Sequence, residues 1–217
     1  MDLKELSLMV EKGNFKKVKE LVLQGIEEKL DPAAILNEGM ISAMAEVGTK
    51  FKNGEIFVPE MLIAARAMSA GLQVLEPILA ETGIKPIGKA VIGTVRADLH
   101  DIGKNLVKMM LKGAGIEVYD LGIDVPSEEF LKKAKEINAD IVVISALLTT
   151  TMPHIKEVVN LFNQSGNREN YYIMIGGAPV TSEFAEEVGA DLYTPDAATA
   201  AEKAREYLIS DLKIKSI

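Results

Sequence analysis

Cysteine is absent from the 217 residues. That absence excludes thiolate nucleophiles, iron–sulfur clusters, cysteine-rich zinc sites and any disulfide framework, though it does not by itself fix the redox compartment. Basic charge is scarce: 24 Lys and Arg stand against 32 Asp and Glu, for a formal net charge of −8. Phosphate recognition needs a basic face, so no nucleic-acid partner is expected. The acidic balance suits an ordinary cytoplasmic protein that handles small molecules. Long apolar runs are missing as well. No stretch approaches 18 apolar residues without a charge, so no membrane span is expected. Met1-Asp2-Leu3-Lys4-Glu5 lacks the basic and apolar regions of a signal peptide, and the expectation is cytoplasmic. Neither a P-loop nor a Gly-x-Gly-x-x-Gly run offers a phosphate cradle, and no internal repeat stands out.

The chain is 48% hydrophobic and long enough for one or two domains at about 150 residues each. Its first part reads as helix only. Leu3, Leu6, Leu8 and Val10 open a short helix that Gly13 ends, and Asn14 caps a second one carrying Phe15, Val18, Leu21 and Val22. Asp31-Pro32 is a helix start, with a capping carboxylate and Pro at the first position. Ile35, Leu36, Met40, Ile41, Met44 and Val47 then form one apolar face, up to Gly54. A fourth helix is predicted from about Pro59 to Leu79. Four helices with short joints predict a small bundle over residues 1–84. The Gly- and Pro-containing segment 81–88 is a linker and a candidate hinge.

From residue 88 to 217 the pattern changes to strict alternation. Strands are predicted over 89–95, 117–121, 141–146, 171–175 and 192–193. Helices are predicted over 103–114, 127–137, 153–162, 182–188 and 197–208. That order gives an α/β domain, a five-stranded parallel sheet of flavodoxin-like or Rossmann-like type with helices on both faces. Ligands of such sheets sit beyond the carboxyl ends of the strands.

The loop after the first strand reads Arg96-Ala97-Asp98-Leu99-His100-Asp101-Ile102-Gly103-Lys104. It places an imidazole at that carboxyl edge. In an extended loop Asp98 and His100 point the same way, so the carboxylate reaches one ring nitrogen and the other faces outward as a metal ligand. His154, the only other histidine, lacks this frame and reads as a surface or loop residue.

A strand, Asp-x-His-x-x-Gly and a helix resemble the cobalamin-binding motif of corrinoid proteins. Val143-Ile144-Ser145-Ala146-Leu147-Leu148-Thr149-Thr150-Thr151 and Ile175-Gly176-Gly177-Ala178-Pro179 look like the rest of that signature. The helical region, with Gly54-Glu55-Ile56-Phe57-Val58-Pro59 leading into its last helix, is similar to the cap bundle of methionine synthase. It is also similar to that of the corrinoid subunits of methylamine, methanol and methoxyarene methyltransferase systems. The likeness spans nearly the whole chain.

This resemblance implies cobalamin bound base-off and His-on, with His100 as the cobalt ligand and Asp98 behind it. Thr151 falls where methionine synthase has the Ser that completes the relay. Ser145, Thr149, Gly103, Gly176 and Gly177 would line a slot for the nucleotide tail, with Asp101 and Leu147 beside them. Gly-Gly after a strand is also an ordinary turn, and Ser or Thr there an ordinary helix cap. Phe57, Met61 and Met68, with Ala64 and Ala65, would form the cap over the corrin, or else simply the core of the bundle. The implied role is a methyl carrier rather than a stand-alone catalyst. Its partners would be a substrate-specific methyltransferase, an acceptor methyltransferase using a folate or thiol, and a reductive activation protein. A cobalamin storage or chaperone protein remains the alternative. A mutase subunit would need a catalytic barrel, a cobalamin light sensor would need a basic DNA-binding head, and a plain receiver domain would leave His100 idle.

Overall fold

The computed structural model describes residues 1–215. The described residues divide into two compact units, Met1–Pro86 with Lys112–Gly115, and Ile87–Leu111 with the residues from Ile116 onward.

The first unit is helical, with α1 (Leu3–Glu11), α2 (Phe15–Glu27), α3 (Pro32–Ala34), α4 (Ser42–Lys52) and α5 (Val58–Glu81). Side-chain caps start three of them. Asp2 accepts from the Lys4 N–H, Asn14 from Lys17 and Asp31 from Ala33, each satisfying an amide that the first turn leaves open. One regular helix was expected after Pro32. Instead Ile35–Ile41 widens into a π-helix that joins α3 to α4. The buried residues explain it: Ile35 and Met40 are five positions apart, and the wider turn brings both inside.

Helix α2 packs chiefly on α5. A Cβ on Gly71 of α5 would come within 2.8 Å of Val18 and 2.7 Å of Met40, so glycine there permits the close approach. The expectation that no segment could span a membrane meets one exception. Helix α5 is long and apolar enough by composition, although it is the inner helix of a bundle, with Met61, Ala64, Met68 and Leu75 buried.

The second unit contains β1 (Lys89–Thr94), α6 (Ile102–Gly113), β2 (Glu117–Asp120), α7 (Ser127–Ile137), β3 (Ile141–Ser145) and α8 (Met152–Gln164). After a short 3-10 turn (Arg168–Asn170) come β4 (Tyr172–Gly176), α9 (Ser182–Val188), β5 (Leu192–Tyr193) and α10 (Ala197–Lys215). All strands are parallel, in the order β2-β1-β3-β4-β5. Apolar side chains from the strands, such as Val91, Val142 and Ile173, pack with Phe130 of α7 and Phe162 of α8 in one core. The fold class is the one the alternation predicts. The differences lie at ends: α8 and α10 run further than expected, and the 3-10 turn was not anticipated.

The strand order reverses between β1 and β3, which makes their carboxyl ends the topological switch point where ligands of such sheets bind. Register sharpens this. Thr94 pairs with Ser145, and Ser145 with Gly176, so the loops after β1, β3 and β4 leave the sheet at one level.

Candidate functional site

At this edge Asp98 is fully buried, while half of the His100 side chain is exposed. Asp98 Oδ1 lies 2.7 Å from His100 Nδ1 and accepts the His100 backbone N–H at 3.1 Å. Its Oδ2 accepts the Leu147 N–H and the Thr151 hydroxyl, both at 2.7 Å. The loop reaches this arrangement through a turn rather than an extended run. Ala97 is left-handed, at φ 63°, and the Asp98 N–H bonds Val95 O at 3.2 Å.

One buried carboxylate thus receives donors from two loops on either side of the switch point. Burial alone would raise its pKa. The bonds from Thr151, Leu147 and His100 together outweigh that and hold the carboxyl well below the usual carboxylate range. An ionised carboxylate only accepts, so the proton of the contact belongs to His100 Nδ1. In the neutral ring this leaves the lone pair on Nε2, on the far side. Thr151 is buried, and its hydroxyl also lies 2.9 Å from Leu148 O, but the charged oxygen is the stronger acceptor.

Three further contributors had no signal in the sequence reading. Buried Thr94, the last residue of β1, donates its hydroxyl to the His100 carbonyl at 2.9 Å. Asp124 accepts the Ala97 N–H at 2.7 Å. Lys104 of α6 is buried, with Nζ 2.7 and 2.8 Å from the two oxygens of Asp120, and Lys108 Nζ reaches the same carboxylate at 2.6 Å. Burial works against ionisation of Asp120, but the two lysines prevail and lower its pKa to about 2. This pair ties the start of α6 to the end of β2. A buried lysine is legible only through its partner, here 16 residues away.

The remaining predicted residues divide. Ser145 and Gly176 are half-buried at strand ends, and Thr149 is exposed. Gly177 has φ 136°, and a Cβ there would lie 1.7 Å from Ala146 O, so strand-end packing alone demands glycine. A Cβ on Gly103 would meet nothing within 4 Å. Asp101 is exposed and accepts from the Asn105 amide at 2.9 Å. His154 lies on the first turn of α8, not on a loop, with Nδ1 2.9 Å from Glu157 Oε2. In the helical unit Phe57 is exposed, whereas Met61 and Met68 are buried.

Around His100 the surface is unusually apolar. Leu99 is 67% exposed and Ile102 80%, and Ile123, Leu147 and Leu148 are each 41% exposed; Ile102 opens α6 and the others lie on the connections that follow β1, β2 and β3. Such a rim marks a ligand with a large apolar face. Among the described residues no group of three His, Asp or Glu could hold a metal ion. A metal meeting His100 must therefore bring its other ligands along, as in a macrocycle, and a corrinoid fits this donor set.

Comparison with known proteins agrees. Residues 88–204 match a family described as B12 binding domain, and residues 3–76 match a second family of the same description. The chain is 45% identical over 194 residues to dimethylamine corrinoid protein 1 of Methanosarcina acetivorans, covering 88% of this chain and 91% of that protein. Its fold is similar to a cobalamin-binding protein from Desulfitobacterium hafniense, with TM-score 0.80, 31% identity, and 95% and 98% of the two chains covered. It is similar also to a chain of the methanol:cobalamin methyltransferase complex MtaBC from Methanosarcina barkeri. There the TM-score is 0.84 at 29% identity, covering 94% of this chain and 78% of that one.

Proposed function

The chain belongs to the cobalamin-binding corrinoid proteins of methyltransferase systems, and from that premise we propose that it is a methyl carrier that holds cobalamin base-off and His-on through His100. The bound cofactor supplies a cobalt centre able to accept a methyl group and give it up. His100 Nε2 is the ligand to that metal. Asp98 fixes the ring through Nδ1 and keeps the proton on that nitrogen, which leaves Nε2 free to donate its lone pair. Thr151 and the Leu147 N–H hold Asp98 ionised and in place. Leu99, Ile102, Ile123, Leu147 and Leu148 cover apolar corrin surface, and the space open at Gly103 leaves room for the nucleotide tail along Ser145, Thr149 and Gly176.

The division of labour assigns cofactor binding to residues 88–217 and a cap to residues 1–84. Phe57 is the accessible cap candidate, with Met61 and Met68 behind it on α5. One methyltransferase loads the carrier, and a second passes the methyl group to a folate or thiol. A reductive activation protein restores the carrier, all within the cytoplasm. Names among the relatives support the first of these partners, since one describes a dimethylamine corrinoid protein and another a methanol:cobalamin methyltransferase complex.

The observation that carries this reading is the buried Asp98 with His100 Nδ1 on one oxygen and Thr151 on the other, inside an apolar rim. The test is to load the protein with cobalamin and follow its visible absorption in the unsubstituted protein and in His100→Ala. The substitution is expected to leave some corrin bound and to remove the His-on spectrum. Methyl transfer with a co-produced methyltransferase then separates a carrier from a storage protein, which would bind cobalamin and transfer nothing.

A further inference from the structure

The turn that presents His100 is held by a residue outside the Asp-x-His-x-x-Gly motif. Ala97 is left-handed, a conformation that residues with a Cβ rarely adopt, so its surroundings must enforce it. Its N–H donates to Asp124 Oδ1 at 2.7 Å. Asp124, itself left-handed at φ 52°, returns its own N–H to the carbonyl of Asp98 at 3.0 Å. The two turns thus clamp each other across 27 residues of sequence.

Asp124 is well placed to act as the fixed half of this clamp. The Thr94 N–H bonds Gly122 O and the Val125 N–H bonds Thr94 O, both at 3.0 Å, so the backbone around Asp124 continues alongside β1. Val95 and Val125 form a parallel bridge at the same place. Asp suits the position, being short, tolerant of the left-handed region and an acceptor for a nearby amide.

None of these bonds touches the His100 ring. They act on the backbone on both sides of Asp98, whose carboxylate holds that ring. We propose that Asp124 is a positioning residue for His100, a role that deepens the reading of His100 as the cobalt ligand. Its carboxylate and N–H set residues 97 and 98 so that Asp98 Oδ1 meets His100 Nδ1. A ligand held this way must be placed within a fraction of an ångström, and supporting contacts of this kind supply that precision.

The simpler possibility is that Asp124 serves only as a turn former. Two variants separate them. Asp124→Gly keeps the left-handed backbone and removes the carboxylate, and Asp124→Asn keeps both the backbone preference and an oxygen acceptor. Asp124 is exposed, so neither disturbs the core. The protein is labelled with 15N-histidine, and its ring nitrogens are followed by NMR without cofactor. His154, on α8, serves as the internal reference.

Asp124→Asn is expected to match the unsubstituted protein. Asp124→Gly is expected to shift the His100 signals and leave those of His154 in place. After loading with hydroxocobalamin, the ratio of His-on to His-off absorption should fall about fivefold in the Gly variant, as expected for loss of one hydrogen bond. In the unsubstituted protein the Ala97 amide should exchange slowly despite its exposed position. His100 signals unmoved by Asp124→Gly, or rapid exchange at Ala97, would overturn the proposal. An unchanged absorption spectrum in loaded His100→Ala would defeat the ligand reading instead, and the ring shifts would still decide what Asp124 does.

Discussion

Thr151 Oγ1 and Asp98 Oδ2 lie 2.7 Å apart, joined across 53 residues of sequence by the neighbouring loops after β1 and β3. The contact links the two sides of the switch point and satisfies a carboxylate with no access to water. Removing the hydroxyl would leave that charge with one donor fewer. Thr151→Val is expected to destabilise the cofactor-free protein by roughly 1–3 kcal/mol, the cost of an unsatisfied buried group. Thr151→Ser should be nearly neutral. Urea unfolding of the two variants checks this, and a Val variant as stable as the Ser variant would remove Thr151 from the relay.

The glycines at this edge should behave oppositely. Gly177→Ala would drive a Cβ to within 1.7 Å of Ala146 O and is expected to lower the melting temperature sharply or abolish folding. Gly103→Ala enters open space and should fold normally. If the nucleotide tail passes Gly103, that variant should nonetheless bind cobalamin more weakly, a split that a melting curve and a binding titration resolve together.

Ile102 and Leu99 are apolar, exposed and adjacent to His100. Ile102→Ser should leave the stability of the cofactor-free protein almost unchanged. It should weaken cobalamin binding by about tenfold, since covering one such side chain contributes about 1.5 kcal/mol. Equal affinity in the variant would show that the rim does not meet the corrin.

Acid should act through Asp120. Its folded-state pKa, about 2, lies below the ordinary aspartate value of about 3.9, so its contribution is fully present above the unfolded value and is lost as pH falls through the folded one. Asp120 is solvent-exposed, so screening holds this contribution to about 1 kcal/mol. The stability advantage of the unsubstituted protein over Asp120→Asn should be constant above about pH 5 and shrink from there to about pH 2. A difference independent of pH would show that Lys104 does not depend on the carboxylate charge.

Much of this arrangement is legible in the sequence, because each strand and helix carries its own periodicity and the loop motif names its own chemistry. The limits of α7 and α9 coincide with the ranges predicted from the sequence. What escaped are contacts between distant segments. Thr94, Lys104 and Asp124 look ordinary until the sheet brings their partners beside them. The π-helix at Ile35–Ile41 escaped because a five-residue spacing of buried positions reads as a slightly irregular α-helix. Gly177 was legible as a glycine but not for its reason, since only the fold reveals the carbonyl of Ala146 behind it.

The most direct test of the central claim is electron paramagnetic resonance of the loaded protein in its Co(II) state, grown with 15N-histidine. Coordination by His100 predicts that the nitrogen superhyperfine triplet becomes a doublet on labelling, and that His100→Ala abolishes the doublet. A triplet that persists in the labelled protein would mean that the metal is bonded to a nitrogen of its own nucleotide base, and would contradict the account.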